Sequence, residues 1–249
     1  MPARLLFFAL IAVFAAAATA GEVQVAVAAN FAQPMARIGE AFTAATGHTL
    51  KLSTGSTGKF YSQIVTGAPF EVLLAADDET PARLVKENHA MAGTQFTYAI
   101  GKLVLWSATA GLVDDKGEVL ASDKFKHIAI ANPKLAPYGA AAYEVLKARG
   151  LTDALAPKVV LGETIAQTYQ FVATGNAEIG FVALSQVAVP GKPAPGSYWV
   201  VPSQLHSEIR QDAVILKPGE KNPAAAALLT YLKSEPARQV ISSFGYALR

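Results

Sequence analysis

The chain has 249 residues, no cysteine and a formal net charge of +2 at pH 7. This length suffices for one large domain or for two lobes. Without cysteine, the sequence excludes disulfide bridges, a thiolate nucleophile, cysteine-ligated zinc and a lipid attached to cysteine. The small net charge and the lack of a basic cluster indicate neither a nucleic-acid surface nor attraction to an acidic membrane.

Residues 1–20 are predicted to be a secretory signal peptide and not part of the fold. Arg4 gives a positive start, residues 5–18 form an apolar run, and Ala18-Thr19-Ala20 is a small-x-small cleavage signal. The apolar run is too short to span a bilayer, and an uncleaved anchor is the alternative. We therefore expect a mature chain from Gly21 in the periplasm, with secretion to the medium as the alternative.

Predicted strands and helices alternate along the mature chain. Strands are expected at residues 22–29, 48–52, 70–76, 96–107, 127–131, 159–161, 178–184, 198–201 and 210–216. Helices are expected from Pro34 to Gly47, at residues 59–66, from Pro81, and at residues 140–149, 165–173, 223–232 and 235–245. The βα alternation predicts an α/β chain of two lobes, each built on a mixed, mostly parallel sheet flanked by helices.

A long extended run in the middle of the chain and a late strand can carry the backbone between the lobes. We expect a first lobe of residues 21–101 plus 203–249 and a second lobe of residues 102–202. Residues 100–102 and 201–203 are the candidate hinges for closure on a ligand.

The segment from Ser53 to Lys59 is the strongest local candidate for a binding site. It places glycines and hydroxyl groups where a strand passes to the N-terminus of a helix. Unpaired N–H groups and the positive end of the helix dipole favour an anion there, and a simple capping turn with Ser56 or Thr57 as N-cap is the alternative. A nucleotide P-loop is excluded, because it needs glycine in place of Ser53 and a hydroxyl residue in place of Phe60.

Three further junctions share this arrangement. Asn30 ends the first strand, Tyr138 follows Pro137 ahead of a helix, and Thr164 precedes the helix that begins near Ile165. Since the carboxyl ends of parallel strands meet at one sheet edge, we expect the junctions to converge on a cleft between the lobes. Asn30 as a simple helix cap and Tyr138 as a surface aromatic are the structural alternatives.

Metal and catalytic sites have little support in the sequence. The acidic residues 77–79 lack a second ligand cluster and are expected to face the N-terminus of a helix. The four histidines have no ligand spacing, and Lys59 is expected to be a solvated charge. A secreted hydrolase with Ser56 or Ser185 as nucleophile lacks both the G-x-S-x-G elbow and paired carboxylates.

Five segments, taken in order along the mature chain, resemble the periplasmic molybdate-binding proteins of ABC transporters. They are Ala28-Ala-Asn-Phe31, Gly55-Ser-Thr-Gly-Lys59, Leu73-Leu-Ala-Ala-Asp77, Asn132-Pro133 with Pro137-Tyr-Gly139, and Gly180-Phe-Val-Ala-Leu-Ser-Gln186. The resemblance implies the type II periplasmic-binding-protein fold, no enzyme activity and no cofactor. It further implies that a monomer binds molybdate or tungstate between its lobes and delivers the anion to a membrane-embedded permease.

The resemblance also implies ligand contacts from Asn30, from Ser56 or Thr57, from Tyr138 and from a backbone N–H near Ile165. Many relatives have tyrosine at the position matching Ala183, and Tyr138 is expected to supply that phenol here. Such a site consists of neutral donors, because a tetrahedral oxyanion offers only acceptors. It binds molybdenum as the oxyanion and not as a metal cation. Sulfate, phosphate, a small organic anion and a secreted protein without a ligand are the alternatives.

Overall fold

The computed structural model describes residues 20–188 and 190–249, so residues 1–19 of the expected signal peptide lie outside the described part. Ten strands form two sheets. They are β1 Glu22–Ala28, β2 Thr49–Gly55, β3 Val72–Leu74, β4 Phe96–Gly101, β5 Leu103–Ser107, β6 Ile128–Ala131, β7 Val159–Gly162, β8 Ile179–Ala183, β9 Ser197–Val200 and β10 Ile209–Ile215. The predicted strands are thus present, with ends that differ by a few residues.

Both sheets are mixed and share one topology. The first has the order β2-β1-β3-β10-β4, with β1 parallel to β2 and β3, and with β10 antiparallel to β3 and β4. The second has the order β7-β6-β8-β5-β9, with β6 parallel to β7 and β8, and with β5 antiparallel to β8 and β9. In each sheet, four strands therefore run in one direction and one strand, β10 or β5, runs against them, and these mostly parallel mixed sheets confirm the predicted fold class.

Nine α-helices occur in the described part of the chain. They are α1 Ala32–Thr46, α2 Thr57–Val65, α3 Glu79–Lys86, α4 Pro137–Ala148, α5 Thr152–Leu155, α6 Ile165–Ala173, α7 Leu184–Val187, α8 Pro223–Leu232 and α9 Glu235–Ser243. Helix α1 ends at Gly47, which has a φ of 74° that suits glycine. Helix α4 begins at Pro137, earlier than predicted, because proline fits the first turn of a helix.

Helices cover both faces of each sheet. In β1, Val25 and Val27 pack towards α1 and α8, whereas Ala26 faces the opposite side with Phe60 of α2. This alternation places apolar side chains on both faces, as expected for a strand in the interior of an α/β layer. The faces of the second sheet are likewise occupied by separate apolar clusters.

The chain passes between the sheets at Lys102 and again between β9 and β10. Strands β4 and β5 are separated only by Lys102, yet they belong to different sheets. Strand β10 then returns and lies between β3 and β4 in the first sheet. Within the described ranges, no helix has the length and apolar character needed to cross a membrane.

Candidate functional site

A small cavity lies where the four predicted junctions meet. It has a volume of about 210 Å³, which includes space that opens to solvent. It is lined by Ala28, Ala29, Asn30, Gly55, Ser56, Thr57, Ala76, Ala136, Pro137, Tyr138 and Ile165. All five residues assigned from the sequence therefore lie together, and none of the lining residues carries a charge.

The hydroxyl groups of Ser56 and Thr57 have different surroundings. Ser56 is the N-cap of α2 but makes no side-chain capping hydrogen bond, and its buried Oγ has no partner among the described residues. Thr57 Oγ1 accepts a hydrogen bond from the backbone N–H of Ala76 at 2.9 Å. Since a hydroxyl can donate as well as accept, both side chains can donate to a ligand. Ser56 thus occupies the capping position without capping the helix.

Asn30 differs from the expectation. It lies in the 3₁₀ turn Ala29–Phe31, and its Nδ2 donates to Gln211 Oε1 at 2.8 Å and to Tyr246 Oη at 2.9 Å. Its buried Oδ1 has no partner among the described residues. The side-chain amide N–H that was expected to meet the anion is therefore already engaged. What Asn30 can present to the cavity is its backbone N–H, because the first N–H groups of a helical turn lack acceptors within it.

Tyr138 lies in the first turn of α4 and is 1% exposed, so it is not a surface aromatic. Its Oη accepts a hydrogen bond from Gln211 Nε2 at 3.1 Å, and the Tyr246 hydroxyl lies close to it. Burial, followed by the nearby hydroxyls of Tyr246 and Tyr98, raises the pKa of Tyr138 well above its ordinary value. The phenol therefore keeps its proton at neutral pH. Ala183 ends β8 and does not line the cavity, whereas Tyr138 does.

The fourth junction contributes a helix N-terminus. Ile165 is the first residue of α6, and the N-cap Thr164 accepts from the backbone N–H of Gln167. The N–H of Ile165 has no acceptor within the helix. The N-termini of α2, α4 and α6 all contribute lining residues to the cavity. Because each helix N-terminus carries roughly half a positive charge, the backbone alone provides an environment for an anion.

Contacts around the cavity join the two halves of the molecule. The backbone N–H of Gly58 donates to the carbonyl of Leu135 at 2.9 Å. Lys59 forms an ion pair with Glu163, and their side chains are 43% and 66% exposed. Lys59 is therefore a solvated, paired charge outside the cavity, as predicted.

Two acidic residues near the start of α3 contact the first turn of the helix and an arginine. Asp77 accepts hydrogen bonds from the backbone N–H and the hydroxyl of Thr80, at 2.9 and 3.1 Å. Burial raises the pKa of Asp77 to about 6. Asp78 forms an ion pair with Arg210 at 3.3 Å. Nowhere in residues 20–188 and 190–249 do three His, Cys, Asp or Glu side chains group as metal ligands.

A buried hydrogen-bond network behind the cavity was not predicted. Gln211 Oε1 accepts from Asn30, and Tyr98 Oη lies 3.1 Å from Gln211 Oε1 and 2.9 Å from the carbonyl of Ala75. Tyr246 Oη lies 2.9 Å from both the carbonyl of Asn30 and Ser185 Oγ. These residues come from distant parts of the chain. The one feature of the sequence that could have indicated the network is the polar residue Gln211 within an otherwise apolar strand.

Two mixed sheets that meet at a small cavity are the architecture of proteins that bind small solutes. A profile described as bacterial extracellular solute-binding protein matches residues 23–247. The chain belongs to this family of bacterial extracellular solute-binding proteins.

Comparison with individual proteins gives a more specific group within this family. The molybdate-binding protein ModA of Azotobacter vinelandii is 61% identical, over 94% of this chain and 93% of that protein. ModA of Rhodobacter capsulatus is 53% identical, over 96% and 93%. A solved structure of the periplasmic molybdate-binding protein of Azotobacter vinelandii has a TM-score of 0.89 and 41% identity, and the match covers 91% of this chain and 99% of that one. These proteins are named as binding proteins, and this chain too is a binding protein and not an enzyme.

Proposed function

We propose that this protein binds molybdate or tungstate as a tetrahedral dianion in the cavity and delivers it to an ABC permease. The observation that carries the proposal is the buried Ser56 hydroxyl, which has no partner among the described residues and lines an uncharged cavity. A buried polar group without a hydrogen bond costs about 1–3 kcal/mol. An oxyanion, which has only acceptor atoms, removes that cost.

The proposed contacts are all donors. The hydroxyls of Ser56, Thr57 and Tyr138 and the backbone N–H groups of Asn30 and Ile165 surround the anion, and the helix N-termini balance its charge. Neutral donors on a rigid frame select by size, because no mobile cation adapts to a smaller ion. Molybdate and tungstate are larger than sulfate, and the names of the similar proteins favour molybdate.

Closure of the two lobes accompanies binding in this proposal. The lobes are residues 21–101 plus 203–249 and residues 102–202, with hinges at residues 100–102 and 201–203. The protein acts as a monomer in the periplasm after removal of its signal peptide. Mass spectrometry of the exported protein should then give a chain that starts at Gly21, and small-angle scattering should show a more compact particle with molybdate than without it.

Thermal unfolding of the mature chain with molybdate, tungstate, sulfate and phosphate tests the ligand. At a molybdate concentration a thousandfold above its Kd, the free energy of unfolding should rise by about 4 kcal/mol. Molybdate and tungstate should raise the unfolding midpoint at concentrations where sulfate and phosphate do not. Equal shifts with sulfate would instead indicate a general oxyanion carrier, and no shift with any of the four anions would refute the site.

A further inference from the structure

Gln211 lies behind the cavity and not in its lining. Its side chain is fully buried on β10 of the first sheet. Its Nε2 donates to Tyr138 Oη at 3.1 Å, and its Oε1 accepts from Asn30 Nδ2 at 2.8 Å. Gln211 thus joins two residues of the site without lining the site itself.

The orientation of the Asn30 amide determines the orientation of the Gln211 amide. Asn30 Nδ2 has two protons, and Gln211 Oε1 and Tyr246 Oη each take one of them. With its oxygen held against Asn30, Gln211 must turn its NH₂ group towards Tyr138. With Asn30 in this orientation, a reversed Gln211 amide would place two nitrogens against each other and lose the bond to Asn30.

The consequence for Tyr138 follows from the chemistry of a phenol. A phenol has one proton to donate and lone pairs to accept. Because Gln211 donates to the oxygen, its amide does not compete with an anion in the cavity for the proton of Tyr138. A carbonyl or carboxylate at the position of Gln211 Nε2 would accept that proton, and the anion would then face a lone pair.

The backbone of β4 holds the two groups in contact. A Cβ atom added at Gly101 would overlap Tyr138 Oη and lie 2.7 Å from Gln211 Nε2. Both side chains therefore pack directly against Gly101. Since both are buried, solvent does not compete for the hydrogen bond between them.

We propose that Gln211 is a positioning residue that directs the Tyr138 hydroxyl towards the bound oxyanion. This inference rests on the proposed function, because it assigns a role in anion binding. Gln211 acts through Tyr138 and does not touch the ligand. It also acts between the two halves of the molecule, since Tyr138 belongs to α4 beside the second sheet.

A double-mutant cycle tests this role by calorimetric titration with molybdate. Gln211→Met removes the donor, and Gln211→Glu replaces it with an acceptor, each with Tyr138 present and in a Tyr138→Phe background. With Tyr138 present, we expect affinity to fall about tenfold for Gln211→Met and about a hundredfold for Gln211→Glu. In the Tyr138→Phe background, Gln211→Met should change affinity by less than about threefold, and the effect of Gln211→Glu should shrink by about tenfold.

Gln95→Met is the matched control. Gln95 donates to the carbonyl of Asp78 and to Asp212 Oδ2, and it neither lines the cavity nor contacts Tyr138. This variant should lower the unfolding midpoint without changing molybdate affinity. If buried charge prevents Gln211→Glu from folding, the Gln211→Met pair decides the question.

The possible results separate the two proposals. Equal losses of affinity with and without the Tyr138 hydroxyl would show that Gln211 acts through Asn30 or through the fold and does not position the phenol. Unchanged affinity in both Gln211 variants would also overturn the inference while leaving molybdate binding intact. An unmodified chain that fails to bind molybdate would overturn the proposed function and this inference together.

Discussion

The substitution Ser56→Ala should lower molybdate affinity without lowering the stability of the free protein. In the free protein the Ser56 hydroxyl is buried, makes no capping bond and has no partner among the described residues. Its removal therefore breaks no hydrogen bond there. In the proposed complex the same hydroxyl donates to a charged acceptor, so its removal acts on the complex alone.

The magnitudes follow from these environments. A hydrogen bond to a charged group contributes about 1.5–3 kcal/mol, so Ser56→Ala should weaken molybdate binding by roughly tenfold to a hundredfold. The stability of the free protein should stay the same or rise by up to about 1 kcal/mol, because an unsatisfied polar group has been removed. For a chain of this size, that is a rise of about 2–4 °C in Tm.

Thr57→Val provides the matched comparison. Thr57 Oγ1 accepts the backbone N–H of Ala76, and valine leaves that buried donor unpaired. This variant should lose affinity and also about 1–3 kcal/mol of stability in the free protein. Calorimetric titration with molybdate gives the affinities, and thermal unfolding without ligand gives the stabilities.

One result would refute this reasoning directly. If Ser56→Ala binds molybdate as tightly as the unmodified chain, the unpartnered hydroxyl is not a ligand contact. If instead it loses stability as Thr57→Val does, the hydroxyl has a structural partner in solution.

Four other substitutions test the surroundings of the site. Gly101→Ala should weaken molybdate binding at least tenfold, because the new methyl group displaces the Tyr138 hydroxyl, and titration will measure this. Lys59→Met and Glu163→Gln should each change molybdate affinity by less than about fivefold at physiological salt, because an exposed ion pair contributes at most about 1 kcal/mol. A larger loss of affinity in Lys59→Met would indicate that Lys59 contacts the ligand. Burial raises the pKa of Asp77 from 3.8 to about 6, so the folded protein binds a proton at this carboxyl more tightly than the unfolded chain does. The free energy of unfolding should therefore fall as the pH rises from about 4 to about 6. Asp77→Asn should remove the corresponding fall in Tm, and an unchanged pH profile of Tm in this variant would contradict the reasoning.

The location of the site was predictable because each junction is local. A strand, a short polar turn and a helix start occupy neighbouring positions in sequence, and parallel strands bring such turns to one edge. Ser56, Thr57, Tyr138 and Ile165 therefore came together as expected. The type of fold was predictable for a related reason, since the βα alternation is itself a local pattern.

The direction of the hydrogen bonds was not predictable in the same way. Whether Asn30 offers its side chain or its backbone depends on Gln211 and Tyr246, which lie far along the chain. These partners are single polar residues in apolar surroundings and have no spacing that marks them. The start of α4 at Pro137 was missed because the turn before it has loop-like composition, and this placed Tyr138 outside the predicted helix.

The insertion of β10 between β3 and β4 has a consequence for the order of folding. The strands of the second sheet follow one another along the chain, from Leu103 to Val200. The first sheet needs strands separated by this whole intervening region, and contacts between distant segments form slowly. A chain that folds from its N-terminus can complete its second sheet first. Until β10 pairs with β3 and β4, these two strands have unpaired edges, and such edges are prone to pair with another chain.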